Sequence, residues 1–266
     1  METNKIYMGD TLQVLKGFPD DFFDITVTSP PYNKNKAAGG LVKEVKYQNS
    51  SDGAPEHQYQ EEQIDVLNEL HRVTKPHGHI FYNHKLRWLD GVMLHPMTWL
   101  AKTKWDMRQE LIWDRGIAGN LRGWRFWQVE ERIYWMQKGV SKGDELESRH
   151  AKMTSVWRIR PENKIKNHPA PFPIELPTRC IYSVLDKTRP HVILDPYSGS
   201  GSTLMAANLM GCSYVGIDCS QEYIDNANHR LNNISVDDME SVSKEMNLHV
   251  VEKSYAERKA AKQKVS

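Results

Sequence analysis

The sequence has few cysteines and no long hydrophobic run, and each absence excludes a class of protein. Three of the 266 residues are cysteine, and no two of them form a C-x-x-C pair. A disulfide framework and a cysteine-based zinc site are therefore not expected. No apolar stretch approaches the roughly 20 residues of a membrane helix, and the opening METNKIYMGD has no signal-peptide character. We expect a cytoplasmic protein that makes no membrane contact.

A large excess of charge of either sign is also absent. Lys and Arg total 35 and Asp and Glu total 34, so the formal net charge is +1. This balance excludes a polycation that binds through a basic tail. It leaves open a nucleic-acid-binding protein whose basic face is offset by acidic residues elsewhere.

Short β-branched or apolar runs alternate with segments of helical periodicity. The predicted strands cover residues 5–8, 24–28, 79–82, 110–113, 132–136, 192–195 and 214–218. The predicted helices cover residues 11–17, 59–73, 88–102, 176–185, 202–210 and 221–231, and a charged tail that forms a solvated helix follows residue 235. Strands that alternate with helices predict an α/β fold with a mostly parallel sheet.

A glycine loop, DPYSGSGST at residues 195–203, follows one of these strands and opens a helix. Glycines at such a strand end let the backbone approach a ligand closely. The loop lacks the Gly-Lys-Ser/Thr ending of a P-loop, and Leu204 stands where a dinucleotide loop has its third glycine. Asp218 ends the next strand, where a carboxylate can accept both hydroxyls of a ribose. The pattern favours a nucleoside ligand without a pyrophosphate over an ordinary tight turn.

The tetrapeptide Ser29-Pro30-Pro31-Tyr32 ends a second predicted strand. Pro31 has no N–H, so the Pro30 carbonyl is left as a free acceptor beside the Ser29 hydroxyl. The Tyr32 ring offers a flat face. Two acceptors and a stacking partner suit the exocyclic amine of a nucleobase, although prolines that merely terminate a strand would give the same tetrapeptide.

Together these motifs resemble those of the amino-methylating DNA methyltransferases. The catalytic motif at residues 28–33 precedes the cofactor motif at 195–203, an order similar to that of the permuted β class. Segments 4–10, 69–78, 168–173 and 216–223 resemble further motifs of the class, so the resemblance covers most of residues 4–232. Tyr197 replaces the usual Phe and Ser202 a common Thr. The resemblance implies a Rossmann-like, S-adenosylmethionine-dependent methyltransferase sheet with helices on both faces.

The resemblance also assigns roles to the matched positions. The catalytic residues would be Ser29, Pro30, Pro31 and Tyr32. The residues that bind S-adenosylmethionine would be Asp10, His168, Phe172, Asp195, Tyr197, Ser198, Gly199, Ser200, Gly201, Thr203 and Asp218. In this family Ser at the first motif position usually accompanies cytosine N4, and Asp or Asn accompanies adenine N6. A site-specific cytosine-N4 DNA methyltransferase is therefore expected, with adenine N6 as the alternative. A non-catalytic DNA-binding module and an RNA or small-molecule methyltransferase are less favoured.

Two other chemistries are set aside. Methylation of a ring carbon needs a nucleophilic cysteine, and all three cysteines, Cys180, Cys212 and Cys219, lie on the cofactor half of the sequence. The histidines at positions 57, 77, 79 and 84 fit no standard zinc spacing, and methyl transfer to an amine requires no metal. No metal site is expected.

Arginines and tryptophans alternate in a glycine-containing segment, and this mixture suits contact with phosphates and stacking on bases. The predicted DNA contacts are Arg115, Arg122, Arg125 and Trp124. We expect a catalytic domain at residues 1–235 with DNA-contacting loops at about 33–58, 114–128 and 138–165, followed by a charged tail or helix at 236–266. DNA is the expected partner. A companion restriction endonuclease acting on the same site and a homodimer are the further assemblies that the resemblance allows.

Overall fold

The computed structural model describes residues 1–33, 53–118, 123–140, 153–161 and 172–248. The predicted loops 33–58, 114–128 and 138–165 lie partly outside these ranges, and His168 and Arg122 lie outside them. The described elements are β1 (Lys5–Met8), α1 (Thr11–Lys16), β2 (Phe23–Thr28), α2 (Glu56–Val73), β3 (Thr74–His84), β4 (Arg87–Leu89), β5 (Val92–Leu94), α3 (Met97–Leu100), β6 (Asp106–Asp114), β7 (Glu130–Gln137), β8 (Val156–Arg158), α4 (Glu175–Val184), β9 (Val192–Asp195), α5 (Ser202–Leu209), β10 (Ser213–Asp218), α6 (Gln221–Asn232) and α7 (Val236–Leu248). No helix within the described ranges has the length and hydropathy needed to cross a bilayer.

Eight strands form one sheet in the order β1-β10-β9-β2-β3-β7-β6-β8. The first five strands in this order are parallel to one another. β7 then runs antiparallel to both β3 and β6, and β8 is parallel to β6. The prediction of a mostly parallel α/β sheet is confirmed.

Helices cover both faces of the sheet. Alternate residues of a buried strand point to opposite sides, so one strand contacts the helices on both faces. On β9, Ile193 joins a buried cluster that contains residues of α4, α5 and α7. The next residue, Leu194, joins the cluster on the other face, which contains residues of α1, α2 and α3. Parallel strands buried on both faces explain why these segments consist of short apolar and β-branched runs.

β2 and β9 are neighbours in the sheet although they are far apart in the sequence. From β2 the chain crosses to β3 through α2, and from β9 it crosses to β10 through α5 on the opposite face. In an open α/β sheet, such a reversal of strand order opens a crevice at the carboxyl ends of the two strands. The Ser-Pro-Pro-Tyr segment and the glycine loop both begin at this crevice.

The prediction of a helix over residues 88–102 is wrong. This segment contains the hairpin β4–β5, in which Leu89 pairs with Val92, and then the four-residue helix α3. Asp90 and Gly91 form the two-residue turn with φ of 49° and 80°. An Asp-Gly pair is a strong signal for this type of hairpin, because both central residues adopt positive φ.

The helix α7 packs against the body of the protein instead of standing in solvent on all sides. Val242 is buried in the cluster with α4. Glu245 is also buried and accepts hydrogen bonds from Arg179 Nε at 2.5 Å and Nη2 at 3.0 Å. The beginning of the predicted tail thus contributes to the core, whereas residues 249–266 lie outside the described ranges.

Candidate active site

A buried hydrogen bond joins the two predicted motifs at the carboxyl edge of the sheet. Thr28 Oγ1, at the end of β2, donates to Asp195 Oδ1 at 3.0 Å. The same oxygen accepts the Tyr197 N–H at 3.1 Å. Burial raises the pKa of Asp195 to about 6, although these hydrogen bonds oppose the shift. Asp195 therefore holds the start of the glycine loop against the strand that carries Ser29.

The helix α6 packs against the glycine loop. Gly201 has φ of 79°, and a Cβ at this position would lie 2.9 Å from Ala227 Cβ. Left-handed backbone and close approach both require glycine here. Arg230 Nη1 donates to the Ser200 carbonyl at 2.5 Å, and the Gly201 N–H donates to the Ser198 carbonyl at 2.7 Å. These contacts consequently hold the loop in one backbone conformation.

Two carboxylates stand at neighbouring strand ends beside this loop. At the end of β10, Asp218 Oδ2 accepts the Gly199 N–H at 2.8 Å and Oδ1 accepts the Ser220 N–H at 2.9 Å. Burial raises the pKa of Asp218. Asp10 follows β1, the adjacent strand, and is exposed while capping α1 through the Gln13 N–H at 3.0 Å. Each carboxylate keeps lone pairs that can accept hydroxyl or ammonium hydrogens, and these acceptors fit the cofactor that the resemblance implies.

Phe172 lies beside the glycine loop, and Tyr197 is part of the loop. The Phe172 carbonyl accepts from Ser202 Oγ at 2.8 Å, and its ring meets the Trp113 ring edge-on at 5.8 Å. Tyr197 packs against the cluster that contains α1 and α2, and burial raises the pKa of its hydroxyl. Phe172 thus packs against the buried cluster on one face of the sheet, and Tyr197 packs against the cluster on the other face.

Three small polar residues of the loop face the interior. Ser198, Ser200 and Thr203 are all buried. Ser198 Oγ has no hydrogen-bond partner among the described residues, and it would lie 3.2 Å from a Cβ built on Gly216. These side chains therefore shape the loop from within, and a ligand would meet mainly its backbone.

The hydroxyls of the Ser-Pro-Pro-Tyr segment belong to a network that the sequence does not predict. Ser29 Oγ lies 2.6 Å from Tyr32 Oη. Tyr32 Oη in turn lies 2.5 Å from Asn83 Oδ1 on β3 and 2.9 Å from Glu131 Oε2 on β7. The Pro31 carbonyl accepts from Tyr59 Oη at 2.8 Å. The strand end is thus fixed by side chains from α2, β3 and β7.

Glu131 is the buried acid of this network. It is 4% exposed, and its Oε1 pairs with Lys85 Nζ at 3.0 Å and Arg115 Nη1 at 3.2 Å. On β7 it occupies a buried position of the alternating pattern that Ile133 continues. A charge at a core-facing position of a strand is a sequence signal that could have identified this residue.

The Tyr32 ring is half-buried. The His84 ring lies 4.8 Å away at an interplanar angle of 52°, and Lys85 Nζ lies 5.6 Å from the Tyr32 centroid. His84 is buried, and its Nε2 lies 2.8 Å from Tyr59 Oη. The ring is therefore held in place by Lys85 and by His84, and the sequence analysis considered His84 only as a possible metal ligand.

The predicted DNA contacts occupy different environments. Arg115 is 15% exposed and pairs with Glu131, so it belongs to the network that contains Ser29 and Tyr32. The Arg125 guanidinium lies 3.9 Å from the Trp88 centroid and 5.7 Å from the Trp124 centroid. Trp124, Phe126 and Trp127 are 57%, 99% and 59% exposed. We call Trp88 and residues 124–127 the aromatic surface.

Within the part of the chain that the structure describes, no three His, Cys, Asp or Glu side chains are grouped so that they could hold a metal ion. The described site instead consists of a glycine loop with two carboxylates on one side and a hydroxyl network on the other.

Comparisons with known proteins show the family and the fold of the chain. A family model described as DNA methylase, for the N6 and N4 methyltransferases, matches residues 23–229. Type II methyltransferase M.BglII from Bacillus subtilis is 27% identical over 259 residues, which are 84% of this chain and 67% of that protein. PvuII DNA methyltransferase (cytosine-N4-specific) has a TM-score of 0.70 at 18% identity, over 93% of this chain and 94% of that one. The M1.HpyAVI-SAM complex has a TM-score of 0.58 at 19% identity, over 85% of this chain and 99% of that one. At these identities the two structures show a common fold.

Proposed function

The chain belongs to the DNA methylase family, and from that premise we propose that it methylates the exocyclic N4 amine of cytosine in DNA. Membership of the family supports the more general statement, that the chain is a DNA methyltransferase that uses S-adenosylmethionine. The choice of cytosine depends on Ser29 at the first position of the motif. The observation that carries the proposal is the Thr28–Asp195 hydrogen bond of 3.0 Å, which puts the acceptor motif beside the glycine loop.

The groups around the glycine loop support the part of the proposal that concerns the cofactor. S-adenosylmethionine, when bound, supplies an electrophilic methyl group. The backbone of Gly199 and Gly201 would line its methionine part, and Asp218 would accept its ribose hydroxyls. Asp10 follows the adjacent strand and would accept hydrogen bonds from an ammonium group. Two strand ends and one loop thus provide the donors and acceptors that a nucleoside with an amino-acid tail needs.

The substrate half must activate a weak nucleophile. The lone pair of an exocyclic amine is delocalised into the ring of the base. Hydrogen bonds from the amine to Ser29 Oγ and to the Pro30 carbonyl favour a tetrahedral nitrogen, on which the lone pair is available for the methyl group. The half-buried Tyr32 ring would stack on the base. Because a paired base is out of reach, the target nucleotide must leave the duplex, at a cost of about a few kcal/mol.

The aromatic surface is a candidate for contact with the surrounding DNA. Trp124 and Arg125 combine an exposed ring with a cation, and such pairs stack on bases and bind phosphates. Arg115 connects the start of this loop to Glu131 in the catalytic network. Since M.BglII is named a Type II methyltransferase, we further propose that the present chain acts beside a restriction endonuclease of the same site specificity.

One experiment tests the reaction and the base together. The purified protein is incubated with methyl-labelled S-adenosylmethionine and duplex DNA, and the hydrolysed nucleosides are analysed by mass spectrometry. N4-methylcytosine is the expected product, and N6-methyladenine in its place would overturn the assignment of the base. Label found in RNA or free nucleosides but not in DNA would overturn the substrate class. Ser29→Ala is the matched variant, and it should slow single-turnover methylation more than it weakens DNA binding.

A further inference from the structure

The Ser29 hydroxyl is required as a hydrogen-bond acceptor, yet a hydroxyl can equally well donate. If Ser29 donated, it would meet the ring nitrogen or carbonyl of a base instead of an amine. Something in the protein must therefore fix the direction of its hydrogen bond. Glu131 is a candidate for this role, because its Oε2 accepts from the Tyr32 hydroxyl that contacts Ser29.

The hydrogens of the network can be placed by elimination. Tyr32 Oη has one hydrogen and lies 2.5 Å from Asn83 Oδ1 and 2.9 Å from Glu131 Oε2. Asn83 Nδ2 donates to the Arg132 carbonyl at 3.1 Å, so the oxygen of its amide is the atom that faces Tyr32. A carboxylate that pairs with two cations also offers only lone pairs.

Asn83 Oδ1 and Glu131 Oε2 are thus acceptors in contact with the Tyr32 hydroxyl. The Tyr32 hydrogen goes to one of them, and it is not available to Ser29. Ser29 must then direct its own hydrogen inward, to Tyr32 Oη at 2.6 Å or to Asn83 Oδ1 at 3.3 Å. The lone pairs of Ser29 Oγ remain for the substrate.

We propose that Glu131 is a positioning residue that orients the Tyr32 and Ser29 hydroxyls, so that Ser29 presents an acceptor to the target base. This inference rests on the proposed function and adds a specificity to it. An oriented acceptor binds an amine and is repelled by the lone pairs of a carbonyl. The network therefore selects an amino base over a keto base before methyl transfer takes place.

The test is a double-mutant cycle on the single-turnover methylation rate. The substrates are S-adenosylmethionine and unmethylated duplex DNA that contains the site which the wild-type protein methylates. Glu131→Gln should lower the rate by about tenfold, the effect of about one hydrogen bond, with dissociation constants for DNA and cofactor nearly unchanged. In a Tyr32→Phe background the connecting hydroxyl is missing. The same Glu131→Gln change should there alter the rate by less than about twofold.

Equal rate losses in the two backgrounds would overturn the proposal, because Glu131 would then act through its ion pairs with Lys85 and Arg115 or through folding. Glu130→Gln is the matched control, since Glu130 is the adjacent acid on β7 and lies 3.7 Å from Arg132. It should leave the rate unchanged.

Glu131→Asp provides a second variant if Glu131→Gln does not fold. This variant keeps the charge but moves the carboxylate away from Tyr32 by the length of one methylene. It should show the same loss in single-turnover rate and an unchanged melting temperature. A folded Glu131→Asp enzyme with the wild-type rate would also overturn the proposal. A wild-type protein that methylates no DNA would instead refute the proposed function, so the two failures are distinguishable.

Discussion

Gly201→Ala should disable the cofactor loop for two separable reasons. Gly201 has φ of 79° and ψ of 16°, a left-handed conformation that costs a residue with a side chain about 1–2 kcal/mol. Its new Cβ would also lie 2.9 Å from Ala227 Cβ and 3.4 Å from Ala227 Cα. Overpacking against a helix costs about 1–3 kcal/mol. We expect a total loss of about 2–5 kcal/mol in the free energy of unfolding.

Gly211→Ala is the matched control. Gly211 also has a left-handed φ, 74°, but a Cβ there would meet nothing within 4 Å. Its substitution should therefore show the conformational cost alone. The difference between the two variants in urea unfolding isolates the contact with Ala227. Ala227→Gly in the Gly201→Ala background should recover part of that difference.

Cofactor affinity gives the functional readout. Calorimetric titration with S-adenosylmethionine should show a large loss for Gly201→Ala and a nearly normal dissociation constant for Gly211→Ala, which lies at the far end of α5. Equal destabilisation of the two variants would refute the contact argument. Normal binding by Gly201→Ala would show that the loop backbone does not line the cofactor site.

Three further predictions address charge. Asp218→Ala should weaken S-adenosylmethionine binding by about 1.5–3 kcal/mol through lost charge-assisted hydrogen bonds, and an unchanged calorimetric affinity would remove Asp218 from the site. Burial raises the pKa of Asp195 to about 6, above its value in the unfolded chain, so the folded state holds this proton more tightly. The contribution of Asp195 to stability should accordingly decrease as the pH rises from about 4 to about 6 and stay level above that. The free energy of unfolding of the wild type minus that of Asp195→Asn, measured in urea, should fall over this interval, and a rising difference would contradict the burial. Arg125→Ala should weaken binding to all DNA sequences alike and lower the salt slope by about one unit, whereas a loss confined to one base pair would indicate base readout.

The strands that build the crevice could be predicted because their signal is local. Residues 24–28 and 192–195 are short runs rich in β-branched residues, and they end abruptly at the prolines or at the glycine loop. Parallel strands buried on both faces need this composition, and their carboxyl ends are where ligands bind. The positions of Ser29 and Gly201 in the site followed from these strand ends.

The hairpin β4–β5 was missed for a different physical reason. Apolar residues at positions 88, 89, 92 and 93 fit a helical face as well as a pair of short strands. Periodicity alone does not separate these alternatives over so few residues. The Asp90-Gly91 turn settles the conformation, because both residues adopt positive φ.

The network behind Ser29 could not be found from local patterns. Tyr32 and Glu131 are 99 positions apart and meet only because β7 pairs with β3. Nothing in either segment specifies this antiparallel pairing by itself. The buried position of Glu131 on an amphipathic strand was the available sign, and it identifies an unusual residue without naming its partner.

The site depends on which strands are adjacent and not on the order in which the chain forms them. Thr28 and Asp195 are 167 positions apart, yet they bond directly because Ile25 and Thr26 pair with Ile193 and Leu194. The entropy of closing so long a loop grows only with the logarithm of its length, so a large separation is tolerated. What cannot vary is the reversal of crossovers between β2 and β9, because it leaves their carboxyl ends uncovered. The Ser-Pro-Pro-Tyr motif can therefore precede the glycine loop in the sequence and still lie beside it at one edge of the sheet.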